Sequence, residues 1–190
     1  MLSTKIKDAT KTAHQQLEGV VVRRLKTIGN KEDYAIFLKH FYAYFHAVER
    51  TIAPYITTAI LPDYKERRNA AYLRDDIESL GYTLDQLPTA QAPEVKNIPE
   101  ALGALYVLEG SIMGGSIIVK MLEKSGITEG ISFFSGYGEA TGEKWTAFIE
   151  VLNRLASQPR EEELAIRAAN ATFANFGKVF TREDAEKVIV

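Results

Sequence analysis

Apolar residues recur at steps of three and four along nearly the whole chain and almost never in strict alternation, so the sequence predicts helices and few strands. Ile6, Ala9, Ala13, Leu17, Val20 and Val21 share one stripe and predict a first helix over about residues 3–27. Gly29-Asn30 ends it, and Asn30 caps the next helix with Asp33 at the third helical position. That second helix carries Tyr34, Phe37, Leu38, Phe41, Phe45, Val48 and Ile52 on one face and stops before Pro54; aromatic residues at this spacing read as core. A third helix is expected from after Pro62-Asp63 to Gly81, followed by a loop over residues 82–98 that contains Pro88 and Pro93. A fourth helix spans about residues 99–124. A glycine-rich, ordered loop follows over residues 126–142, around Phe133-Phe134. A fifth helix covers about residues 143–156, and Pro159 opens a sixth with Ile166, Ala169, Phe173, Phe176 and Phe180 on one stripe. No repeat or low-complexity tract interrupts the series. The expected architecture is a single all-α domain over residues 1–190.

Composition leaves that picture intact and closes off several functions. At 190 residues, 46% hydrophobic and 25% charged, the chain has the make-up of an ordinary soluble protein with one sizeable core. A net charge of -2 lacks the basic excess that nucleic-acid binding needs, so no nucleic-acid partner is expected. The absence of cysteine removes disulfides, thiolate nucleophiles and cysteine-ligated metals, and accords with a reducing, cytoplasmic setting. Residues 1–8 lack the apolar centre of a secretory signal. Residues 101–119 are apolar, but Glu109 lies at the middle and glycines stand at 103, 110, 114 and 115. A carboxylate at mid-bilayer is costly, so no membrane association is expected.

Two places can carry chemistry. Of the histidines His14, His40 and His46, the last two lie about 240° apart around a helix and cannot share a metal; both read as ordinary histidines of an aromatic helix. His14 has Lys11 one turn before it, Lys7 two turns before and Glu18 one turn after. An imidazole beside an apolar stripe with two ammonium groups on its face would suit an apolar ligand with acidic groups. A solvated helix edge would look the same. The second place is Leu108-Glu109-Gly110-Ser111-Ile112-Met113-Gly114-Gly115-Ser116. Three interior glycines cost a helix roughly 3 kcal/mol relative to alanine, so this helix is bent or closely approached, by a neighbouring helix or by a flat ligand.

Together these segments resemble the heme oxygenase family. The likeness starts with Ile6-Lys7-Asp8-Ala9-Thr10-Lys11-Thr12-Ala13-His14, similar to the family's proximal helix, and continues through Arg68-Asn69-Ala70-Ala71-Tyr72-Leu73 and Gly110-Ser111-Ile112-Met113-Gly114-Gly115. Phe133-Phe134, the stretch from Phe148 to Arg154 and Ala171-Thr172-Phe173 also fit in order. The resemblance implies heme as both substrate and prosthetic group, O2 as co-substrate, and biliverdin, carbon monoxide and ferrous iron as products. It implies His14 as the iron ligand, with Lys7, Lys11 and Arg154 beside the heme propionates. Gly110, Ser111, Gly114 and Gly115 would form the distal, catalytic side. Electrons would come from an external donor, a ferredoxin or a flavin reductase, since no flavin or nicotinamide site is evident. The family commonly places an aspartate directly after the first distal glycine, and Ser111 stands there instead. Leu-Glu-Gly-Ser with Gly-Gly is similar to members associated with bacterial phytochromes, which implies a biliverdin-binding phytochrome as a further partner. A heme carrier or sensor on the same fold is the alternative. A thiaminase-like hydrolase would need a cysteine that is absent.

Overall fold

The computed structural model describes residues 1–186, with side chains through Thr181. Its helices are α1 (Leu2–Leu25), α2 (Lys31–Ile52), α3 (Ala70–Ser79), α4 (Ile98–Gly110), α5 (Gly115–Lys124), α6 (Ser132–Ser135), α7 (Thr141–Leu155) and α8 (Pro159–Glu186), with no strand among the described residues. The all-α expectation is met.

Local signals set the boundaries. Asn30 is extended and its side chain accepts the Asp33 N–H at 2.9 Å, so α2 begins where the cap predicts. Asn97 caps α4 in the same way, accepting from Glu100 N at 3.0 Å, with proline next to the helix start. Long α8 forms the floor on which both α1 and α4 pack. The α4–α8 contact is very close: a Cβ on Gly103 would lie 2.1 Å from the Ala165 carbonyl oxygen. Above it, the aromatic stripe of α2 is core as read, with Phe41 4.9 Å from Phe176 and Phe45 5.0 Å from Phe133, ring to ring.

Two expectations need correction. The third helix does not run from Pro62-Asp63 to Gly81. Tyr64–Glu66 is one 3-10 turn, Arg67 is extended (φ -79°, ψ 151°), and α3 starts at Ala70. Asn69 caps it by accepting from Ala71 N at 2.9 Å, and the interruption lets Arg67 and Arg68 be buried. The fourth helix is likewise divided, α4 and α5 being separated by a 3-10 turn at Ser111–Gly114. Taken as one run, Ile98–Lys124 is long and apolar enough to cross a membrane, yet half of its apolar window is buried within the fold. Glu109 near its centre is paired with Arg67 at 2.6 Å, which marks a core element of the bundle.

Candidate functional site

The distal segment is built around the 3-10 turn. Gly110, Ser111, Gly114 and Gly115 all have right-handed backbone, with φ between -89° and -58°, so glycine is not needed here for conformation. Space requires glycine at only one of the three positions. A Cβ on Gly110 would make ordinary contact with the Trp145 ring at 3.5 Å, whereas one on Gly115 would lie 2.1 Å from the Phe134 carbonyl oxygen. Around Gly114 there is nothing within 4 Å. Close packing therefore requires glycine at 115 alone, Gly110 lies beside Trp145 with room for a methyl, and Gly114 faces open space. Beside it Met113 is 57% exposed and Ile117 63%.

Behind the turn lies a buried charged cluster. The Ser111 hydroxyl accepts from Arg68 Nη2 at 2.6 Å and donates to the Leu108 carbonyl at 2.7 Å. Its hydrogen-bonding capacity is thus directed into the protein, not toward the open face. Arg67 donates to Glu109 Oε2 at 2.6 Å, to Asp63 Oδ1 at 2.9 Å and to the Lys144 carbonyl at 2.9 Å. Tyr137 accepts from Arg68 N at 2.9 Å and reaches Glu109 at 3.4 Å. Burial pushes the Arg68 guanidinium down to about 10. Burial also raises the Glu109 carboxyl, against the opposing pull of Arg67. Glu49, which accepts from Ala70 N at 2.8 Å, is raised to about 7 by burial, opposed by that N–H and by Arg68. A cavity of about 460 Å³ opens over this cluster from the α2 side, lined by Glu49, Arg67, Arg68 and Leu108 among others.

The helix that follows the turn, α5, is in contact with α1. His14 is half-exposed; its ring meets the edge of Phe173 at 5.4 Å and its Nε2 lies 3.7 Å from Glu18. Lys7 and Lys11 are exposed on the preceding turns and form no salt bridge with a described residue. Arg154 is exposed on the last turn of α7. Its neighbour Asn153 accepts from Ser3 N at 2.9 Å, which brings the end of α7 to the start of α1, one turn before Lys7. The other two histidines are as the sequence suggested. His40 is buried, with Nδ1 2.7 Å from the Ile36 carbonyl and its ring stacked on Phe180, while His46 is exposed and stacks on Tyr42.

An accessible imidazole, an apolar surface with a bare glycine, and cations at Lys7, Lys11 and Arg154 that form no salt bridge with a described residue would suit a flat apolar ligand with an acidic rim. The model of the heme oxygenase family matches residues 1–182. The chain belongs to the heme oxygenase family. It is 24% identical over 182 residues to the heme oxygenase PigA of Pseudomonas aeruginosa, covering 95% of this chain and 91% of that protein. To a heme oxygenase of Xanthomonas campestris pv. campestris it is 29% identical over 147 residues, 76% of this chain and 87% of the relative. The fold matches that of the NO- and CO-bound heme oxygenase from Neisseria meningitidis with a TM-score of 0.79 at 24% identity, over 96% of this chain and 91% of that one. In the family heme is both substrate and prosthetic group, with O2 as co-substrate and electrons from an external donor. The residues of this heme oxygenase fit that group. His14 offers an accessible imidazole nitrogen, and the space at Gly114 is a place a Cβ would otherwise fill.

Sequence reading missed Arg67, Tyr137 and Trp145. A signal existed for the first: two adjacent arginines ahead of a capping asparagine, with Glu109 inside an apolar run, call for burial as partners, because charged side chains are seldom buried unpaired.

Proposed function

We propose that this chain, acting as a single domain, cleaves heme oxidatively to biliverdin, carbon monoxide and ferrous iron, with His14 as iron ligand and Gly114 on the distal face. The observation that carries the reading is an open, apolar surface at Gly114, Met113 and Ile117 and an accessible His14 on α1, which contacts α5, in a chain whose family match spans residues 1–182. When bound, the heme supplies the iron at which O2 is activated and the ring that is opened. The protein's own residues do the rest. His14 fixes the ligand on one side and Phe173 packs against the imidazole in a T-shaped pair. Lys7, Lys11 and Arg154 orient the acidic rim as point charges and a fork. The turn from Gly110 to Gly115 closes the other side, with apolar side chains that exclude bulk water and a single bare position at Gly114.

Electrons come from an external donor, which we take to be a ferredoxin or a flavin reductase, in the cytoplasm. The biliverdin product would suit a biliverdin-binding phytochrome. Absorbance titration with hemin, with His14→Ala alongside, tests the assignment. The expected result is a stoichiometric Soret band that depends on His14. Ascorbate or a ferredoxin system in air should then remove it and raise the broad red band of biliverdin. A Soret band that survives reductant would make the protein a heme carrier, and absence of saturable binding would remove the heme reading altogether.

A further inference from the structure

Three of the six residues 110–115 are glycine, so beyond buried Ile112 and the close contact of Gly115 with α6 the distal turn has little of its own to fix where it stands. A further hold comes from Arg68, a buried side chain just before α3. Its Nη2 donates to the Ser111 hydroxyl at 2.6 Å and to the Leu108 carbonyl at 3.0 Å, and its Nη1 donates to the Phe133 carbonyl at 3.1 Å. The guanidinium also lies over the Phe133 ring, 3.9 Å from its centroid. Phe133 is itself fixed, because Asp76 on α3 accepts from Phe133 N at 2.9 Å, Ser132 N at 3.0 Å and the Ser132 hydroxyl at 2.7 Å. One planar group thus joins the end of α4, the 3-10 turn and α6. It does so through three neutral oxygens, with no carboxylate in ion-pair contact among the described residues. Burying a cation without such a contact is unfavourable, and a lysine could not reach the same three acceptors from one plane.

We infer that Arg68 is a positioning residue of the distal turn, holding Ser111 and the Leu108 carbonyl against α6 so that Gly114 and Met113 stay presented to the ligand. This rests on the heme reading of the front face; the hold itself exists without heme. Ser111 then contributes as the acceptor that receives Arg68, and its influence on turnover passes through the position of the turn.

Residue-resolved amide hydrogen exchange on the ligand-free and hemin-loaded protein tests this. Ser111→Ala removes one charge-assisted hydrogen bond and should speed exchange at residues 111–115 by about tenfold or more, leaving residues 133–135 as in the wild type. Arg68→Lys keeps the charge but loses the fork, and should speed exchange at both segments. In the double variant, residues 111–115 should exchange as in Arg68→Lys alone, because both changes act on one bond. Hemin affinity of Ser111→Ala should hold while kcat falls, as His14 and the lysines set the affinity. Exchange at residues 111–115 unchanged by Ser111→Ala, or additive effects in the double variant, would overturn the role of Arg68. Failure of the wild-type protein to bind hemin saturably would instead overturn the heme reading and leave the exchange result standing.

Discussion

The two sides of the distal turn are built from opposite chemistry. Behind it, Arg67, Arg68, Glu109 and Tyr137 bury charge and hydrogen bonds; in front, Gly114, Met113 and Ile117 leave apolar surface and empty space. Each side is unfavourable alone. Buried charge needs partners to offset desolvation, and exposed apolar surface gains only when something covers it. The pairing of the two shows how a bare ligand face is made: its position is fixed from the rear, so no side chain is needed in front to hold it. Damage to the rear should therefore cost folding stability, and changes in front should cost ligand chemistry.

The largest effects are expected behind the turn. Arg67→Met leaves Glu109 buried without its partner, and breaking a buried pair in this way costs about 3–5 kcal/mol. Urea unfolding at pH 8 should show that loss, and it should shrink at pH 5, where the raised Glu109 carboxyl is more readily protonated. Gly115→Ala comes next. Its Cβ would meet the Phe134 carbonyl at 2.1 Å, a backbone atom that cannot rotate away, so about 3 kcal/mol of stability should be lost as α5 and α6 separate. A Gly115→Ala protein with wild-type stability would mean that the rear contact yields easily and does not hold the turn.

This asymmetry also marks what the sequence could show. Helix periodicity found the scaffold because α2 and α8 bury regular stripes and α1 buries part of one, with Ala9 left exposed, and the glycines flagged the distal break because three of them disrupt one helix. Periodicity could not divide those glycines by role: Gly110, Gly114 and Gly115 are identical in sequence, and only their neighbours Trp145, empty space and Phe134 separate them. Nor could it place Arg67 and Arg68. Their partners Glu109 and Ser111 are about forty residues away, and a local reading extended the third helix straight through both arginines. His14 with Lys7 and Lys11 was legible because all three share one face of one helix. Arg154 depends on how α7 meets α1, which the Ser3–Asn153 bond reveals.

A smaller effect concerns Glu49, whose carboxyl burial raises from 4.5 to about 7. The folded protein then holds a proton at Glu49 that the unfolded chain has released, so stability falls as pH rises from about 4.5 to 7 and levels off above that. Glu49→Gln should remove this slope, gaining stability at pH 8 relative to the wild type while matching it more closely at pH 5. Parallel pH profiles for the two proteins would show that Glu49 titrates as an ordinary exposed carboxylate.

Gly114→Ala gives the smallest stability change and the sharpest test of the front. Its backbone, φ -89° and ψ -10°, suits alanine, and a Cβ there meets no atom within 4 Å. Removing glycine's freedom from the unfolded chain should raise stability by about 0.4–1 kcal/mol. The same methyl projects into open space, which on the proposed reading a flat ligand would fill. Hemin binding or turnover should therefore weaken in a protein that is, if anything, more stable, the reverse of Gly115→Ala one residue away. If Gly114→Ala binds and degrades hemin as the wild type does, the bare position is not against the ligand. The distal contact would then have to come from Met113 and Ile117 alone.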